Sequence, residues 1–256
     1  MKTFKKVMMG LILPVCVVIA WYCYTTFTDV PNSLLPKIST VLDTGKEMLT
    51  SGQLQTDLSV SIIRVIKGFL ASGCLGVFLG AIMGMSVRMK ELLLPTITTI
   101  RQIPVIAWIP LVILWVGIGE GSKVIIIMLA ATFPVLVNTL NGFTSTPDGL
   151  IEVAKLYKLD KWNTFKKVYL PHALPQMLVG LKLGLGVSWM ALVASELIAA
   201  SSGIGYRMND ARSLMRSDKV IVCMFVIGLV GILMDKILSM VFEAMTPWER
   251  LREKES

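Results

Sequence analysis

Little in this sequence could perform covalent chemistry. No nucleophile–base constellation is visible, and the single histidine, His172, sits beside Pro171, where it reads as structural or interfacial. Gly45-Lys46 is followed by Glu47 and lacks the upstream glycine of a phosphate-cradling loop, so ATP hydrolysis is not expected in this chain. Cys16, Cys23, Cys74 and Cys223 stand in apolar stretches with no C-x-x-C pair, which argues against a metal knuckle or a disulfide framework. What remains is electrostatic. Arg101, Lys182 and Glu196 interrupt apolar runs, and they recur with tryptophans every seven residues: Arg101, Trp108, Trp115 in one run and Lys182, Trp189, Glu196 in another. Such groups attract, repel or pair with ions, and make candidates for lining a path.

The surrounding composition is that of a membrane protein. Of 256 residues, 54% are hydrophobic and 16% charged, with a mean hydropathy of +0.71; soluble domains average roughly 45–50% apolar and about 25% charged. A disordered chain is excluded by the same excess of apolar residues. The net charge of +8 is read by where the cations fall, not as a nucleic-acid footprint. Charge-free runs at 7–28, 68–87 and 124–147 are each long enough to cross the bilayer. Three further spans, at about 92–116, 174–199 and 220–242, carry Arg101, then Lys182 and Glu196, then Asp235 and Lys236. The expected fold is all-α and integral to the membrane, with about six transmembrane helices. The first span follows Lys2, Lys5 and Lys6 but lacks a small-x-small cleavage site, so it is expected to remain as an anchor. Threading six spans from an inside N-terminus leaves thirteen Lys and Arg in inner segments against seven in outer ones. Both termini are then cytoplasmic.

The elements that hold the charges follow from local rules. Pro104 and Pro110 interrupt the run holding Arg101, and a broken helix at membrane depth is tolerated where it is buried or lines a cavity. Arg101 either draws in an anion or pairs to hold the broken segment. Lys182 either faces the path, snorkels or pairs with another helix, and Glu196 either faces the path or pairs with an outer arginine such as Arg207. Trp108, Trp115 and Trp189 either pack or line an outer vestibule. In the outer loop at 201–217, Arg207, Asp210 and Arg212 could fix a docking partner by charge, or merely neutralise lipid phosphates. Leu34, Ile38, Val41, Leu42, Met48 and Leu49 recur at helical spacing, which suits either a helix on the outer surface or an ordered loop. Gly76, Gly80 and Gly84 form a strip that lets another helix approach.

The long polar stretch at 144–172 is the only one expected on the cytoplasmic side. A helix can start near Asp148 and stop before Pro171, with a turn at about 159–161. Ile151, Ala154 and Leu156, then Trp162, Phe165 and Val168, would give a helix–turn–helix with exposed apolar anchors, a surface suited to a groove on a partner.

This segment resembles the signature of bacterial ABC importer permeases: E-A-A, three residues, G, nine residues, I-x-L-P. Glu152, Val153 and Ala154 match with Val in the second slot, Val168, Leu170 and Pro171 match at the expected spacing, and Lys158 replaces the Gly. Lys there either remodels the turn or substitutes a contact. Arg101-Gln102-Ile103-Pro104, Ala107 to Pro110, Leu114 to Glu120, Ala199 to Tyr206 and Asn209 to Arg212 resemble the nitrate, sulfonate and taurine branch of that family. The resemblance implies a type I ABC importer permease fold. It divides the chain into an anchor and outer segment at 1–57, a permease core at 58–246 with its coupling loop at 144–172, and a cytoplasmic tail at 247–256. It also implies a homodimer in the bacterial inner membrane, two ABC ATPase subunits that hold ATP and magnesium, and an extracytoplasmic binding protein. Glu152, Ala154, Lys158, Trp162, Val168, Leu170 and Pro171 would couple to the ATPase, while Arg207, Asp210 and Arg212 would meet the binding protein. No cofactor is expected in this chain. The implied substrate is a small anion, an aliphatic sulfonate or taurine, with nitrate, bicarbonate, pyrimidine precursors and aromatic acids as alternatives. A self-sufficient secondary transporter is the competing class; it would show paired broken helices in inverted repeats, and only one broken segment is visible.

Overall fold

The computed structural model describes residues 2–246, with side chains from residue 8 onward; the tail at 247–256 and the side chains of Lys2, Lys5 and Lys6 lie outside the described residues. All regular structure among the described residues is helical: α1 (Lys2–Phe27), α2 (Ile38–Thr50), α3 (Gln53–Met85), α4 (Val87–Ile100), α5 (Val105–Val116), α6 (Glu120–Thr144), α7 (Asp148–Leu156), α8 (Lys161–Thr164), a π turn (Phe165–Tyr169), α9 (Leu170–Ala199), α10 (Ile204–Ser213) and α11 (Ser217–Met245). Five helical runs are long and apolar enough to cross a membrane, and a sixth arises if α4 and α5, bent by 94°, count as one broken span. The bend falls on Arg101–Pro104, because Pro104 has no N–H to continue the ladder.

Two spans differ from the hydropathy windows for a physical reason. α3 starts well before residue 68, since Arg64 is neutralised inside the protein and does not have to reach water. It also runs without a break through residues 57 and 58, where the resemblance begins the permease core. At the other end, Pro171 does not stop a helix. Residues Lys161–Ala199 form one continuous rod in which the π turn lies just ahead of Pro171, whose missing N–H falls in the first turn of α9.

Three helices form the centre. Cβ atoms added at Gly68, Gly76 and Gly80 of α3 would lie 2.6, 2.8 and 2.7 Å from the side chains of Ile127, Val135 and Thr139 of α6, and Gly84 lies as closely on Phe143. Both series ascend together, so α3 and α6 run parallel. Gly180 meets Asn138 and Gly184 meets Val135, an opposite order that makes α9 antiparallel to α6. The glycine strip thus receives α6, with no room for side chains between the backbones.

Around this centre, α2 proves to be a helix whose buried Val41 and Met48 share an apolar cluster with Trp189, Leu192 and Val222. Thr44 donates to Asp218 at the start of α11 over 2.7 Å. α1 is almost wholly exposed and is tied by the Trp21 indole N–H to the Pro36 carbonyl at 3.0 Å. Gly80→Val should lower the melting temperature of the detergent-purified protein, by a loss of about 1–3 kcal/mol from overpacking. Gly10→Val, at a site with nothing within 4 Å, should leave it unchanged.

Candidate functional site

Functional candidates gather at three levels of the helical centre. At the end where α6 begins and α9 finishes sits Arg64, 3% exposed. Its Nε donates to Glu120 Oε2 at 2.8 Å and its Nη2 pairs with Glu120 Oε1. Nη1 donates to Glu196 Oε1 at 2.7 Å and to the Ser202 carbonyl at 2.8 Å, and Nη2 reaches Ser202 Oγ at 3.0 Å. All five guanidinium donors are used. Glu196, 1% exposed, also accepts from the Gly205 N–H and lies within reach of Ser61 Oγ, each at 2.9 Å. Gly203, at φ +107°, lies so close that a Cβ would collide with the Glu196 carboxylate, and one at Gly205 would lie 2.7 Å from Glu196 Cβ. The Gly-Ile-Gly sequence therefore exists to bring backbone against a buried anion. Lys123, also buried, adds a cation beside Glu120 and Glu196.

This geometry corrects the expected partner of Glu196. Arg207 is taken by Asp57, at 2.8 Å, and by Asp210, at 3.6 Å. The buried partner is Arg64, which, like Glu120, lies beside an apolar run, where hydropathy alone gives a charge no inward-facing role. The heptad stripe on α9 is engaged largely within its own chain. Trp189 is buried and donates from Nε1 to the Ile227 carbonyl at 3.0 Å, and Lys182 pairs with Asp235 at 3.4 Å. The stripe meets α3 and α10 at Glu196 and α11 at Trp189 and Lys182. Of the outer-loop candidates, Arg207 is largely spent on Asp57, whereas Arg212 is exposed and donates to Asn209 at 2.8 Å.

At the middle level the α4–α5 break opens on a cavity of about 430 Å³, lined by Arg101, Gln102, Trp108, Phe133, Asn138 and Val187 among others. Its α6 wall, from Leu129 to Asn138, occupies the middle of that 25-residue helix, which sets the cavity at membrane depth. The Arg101 guanidinium has no hydrogen bond or ion pair among the described residues, so none of them holds it as a structural ion pair. Trp108 packs beside Ile109 and Val112, while Trp115 stands exposed at the far end of α5.

At the opposite end α7 exposes Leu150, Val153 and Leu156, and Tyr157 and Trp162 continue the apolar surface. Glu152 is exposed beside them. Ala154 does not belong to that outer face: it is buried. Lys158 takes the left-handed conformation at φ +51°, its N–H bonding the Lys155 carbonyl at 2.9 Å and that of Leu159 the Ala154 carbonyl at 3.0 Å. The glycine-type helix stop is thus kept, with Lys strained into it. Asp160 caps α8 by accepting from Asn163, whose side chain and then backbone hold its carboxyl below the usual range.

Behind this surface runs an aromatic ladder. Trp162 stacks on Phe165 at 5.6 Å, Phe165 on Phe143 at 5.8 Å, and Phe143 on Tyr169 at 6.3 Å. Phe143 closes α6 against Gly84, while Val168, Leu170 and Pro171 carry the π turn into α9. His172 Nε2 lies 3.4 Å from Ser145 Oγ, joining the end of α6 to the start of α9.

Substitutions at two positions test this geometry. Arg64→Ala should cost about 3–5 kcal/mol by stranding Glu196, seen as a lost melting transition, and Arg64→Lys should recover only part because Lys has three donors. Lys158→Gly should stabilise the α7 turn by about 1–2 kcal/mol by removing left-handed strain, read as slower proteolysis at 157–161.

Comparison with known proteins converges on one family. The binding-protein-dependent transport system inner membrane component family matches residues 74–249. A Bacillus subtilis protein named as an aliphatic sulfonates transport permease is 37% identical over 96% of this chain and 89% of its own length. The taurine transport system permease of Escherichia coli is 34% identical over 87% of this chain and 80% of its own. The nitrate import permease of Synechococcus elongatus is 31% identical over 78% and 73%. Among solved structures, an amino acid ABC transporter crystallised with histidines superposes with a TM-score of 0.63 at 17% identity, covering 77% of this chain and 97% of that one. An inward-facing methionine ABC transporter gives 0.53 at 18%, covering 70% and 94%. These neighbours share the type I importer permease fold. The chain belongs to the binding-protein-dependent transport system inner membrane component family, as a multi-pass inner-membrane permease of ABC importers for small solutes.

Proposed function

We propose that two copies of this chain form the translocation pathway of an ATP-driven importer for a small anion, with an aliphatic sulfonate or taurine as the substrate. The observation that carries the role is the exposed apolar surface of α7 and α8, Leu150, Val153, Leu156, Tyr157 and Trp162, standing on a rigid aromatic base. Apolar anchors on a short helix suit a groove on a partner, and the partner is an ABC ATPase that holds ATP and magnesium. Both termini face the cytoplasm with that surface. A substrate-loaded binding protein docks outside, where Arg212 is exposed on α10 and Arg207 and Asp210 stand beside it. The names of the sulfonate, taurine and nitrate relatives support an anion.

The packing suggests how force travels. Closure of two ATPases on nucleotide moves α7. Trp162 and Phe165 pass that displacement to Phe143, hence to α6 and, through Gly84, to α3. α9 moves with them as a continuation of α8. With the outer ends tied by Arg64, the three helices tilt as one body, and the α4–α5 break is where shape can change.

Reconstitution with the ATPase encoded beside it tests this reading. A sulfonate-loaded binding protein should stimulate ATP hydrolysis and uptake severalfold, and Glu152→Ala should abolish the stimulation while leaving the fold intact. Uptake without any ATPase would contradict the role and favour a secondary transporter.

A further inference from the structure

The cavity at the α4–α5 break has a chemistry of its own, and a substrate role for it rests on the importer reading. Its walls are apolar and aromatic, with Trp108 and Phe133 prominent, and no carboxylate lines it. Its polar groups are Arg101, Gln102 and Asn138. Asn138 Nδ2 gives one hydrogen to the Pro134 carbonyl at 2.8 Å and keeps another. Neither Arg101 nor Gln102 has a side-chain partner among the described residues.

Lipid is a poor explanation for what this cation faces. An unpaired guanidinium at hydrocarbon depth costs several kcal/mol, and interrupted backbone at that depth occurs only against protein or a water-filled cavity. We propose that this cavity is a substrate site within the membrane, for a monoanionic oxyanion head on a compact apolar body. The guanidinium takes the head, with the Gln102 and Asn138 amides beside it, and Trp108 and Phe133 take the body. A volume of about 430 Å³ leaves room for a small organic anion and its water. Because no carboxylate lines the wall, an ammonium on the ligand finds no counter-charge. The site therefore prefers a plain alkanesulfonate to an aminosulfonate.

The test is calorimetric titration of the permease–ATPase complex in phosphatidylcholine nanodiscs, which hold no anionic lipid, without any binding protein. Butane-1-sulfonate, its neutral sulfonamide and taurine are the probes. Butanesulfonate should bind, and the sulfonamide and taurine should bind at least about tenfold more weakly, the scale of one charge-assisted hydrogen bond. Arg101→Gln should weaken butanesulfonate by at least about tenfold, and Arg101→Lys should restore part. Should the Arg101 variants not assemble, Gln102→Leu, whose amide has no partner among the described residues to lose, should still weaken binding about threefold or more, a modest hydrogen-bond loss. No binding to the unvaried complex, equal binding of the sulfonamide, or binding indifferent to Arg101 would each overturn the site. ATP-dependent uptake by the unvaried complex separates the two readings: if it persists while Arg101 proves irrelevant, only this inference fails, and if it is absent, the importer reading fails.

Discussion

A guanidinium buried where three membrane helices converge governs this structure. Withdrawing Arg64 from water is tolerable only because every N–H finds an acceptor, and those acceptors come from three places: Glu120 on α6, Glu196 on α9 and Ser202 beyond it. The demand propagates. Glu196 in turn needs donors, which Ser61 and the Gly205 N–H supply, and the backbone can come close enough only without side chains at 203 and 205. One charge thus dictates residues on four elements, and makes the outer ends of α3, α6 and α9 a single fixture.

Below that fixture the glycine strip removes slack between α3 and α6, and the aromatic ladder removes it between α6 and the cytoplasmic helices. In the proposed cycle, a permease pinned at the Arg64 end and closely packed along its length responds to a push at the α7 end by tilting. The α4–α5 segment packs on this body through Leu93 and Ile97 of α4 and Ile109 and Val112 of α5, yet it is bent by 94° and exposed around Arg101. Close packing in three helices and a break in one pair are complementary properties for the proposed alternating access.

Much of this was legible in the residues because some rules are local. Pro104 marks the break, since it lacks an N–H wherever it stands, and Gly76, Gly80 and Gly84 announce a close neighbour. Local rules do not name the neighbour. The seven-residue spacing of Lys182, Trp189 and Glu196 groups them on one side of α9, and the fold supplies their partners from α3, α10 and α11. Arg64 and Glu120 were invisible for a related reason: charges near the end of an apolar run look solvated, and only the fold shows them turned inward. Lys158 is the reverse case, a side chain unsuited to its backbone, held there because the α7 stop retains both of its hydrogen bonds.

The most direct test of the Arg64 fixture is a pulsed electron-spin distance between labels at exposed positions 59 on α3 and 198 on α9, both near that arginine, in one protomer of a reconstituted transporter. A cysteine-free background and a dimer labelled in a single protomer isolate the distance within the chain. With the outer ends pinned, the distance should be the same with and without trapped nucleotide, while that between positions 87 and 166, at the cytoplasmic end of α4 and the π turn, should change. A nucleotide-dependent shift between 59 and 198 would contradict the fixture, because the buried arginine could not then hold the three helices as one body.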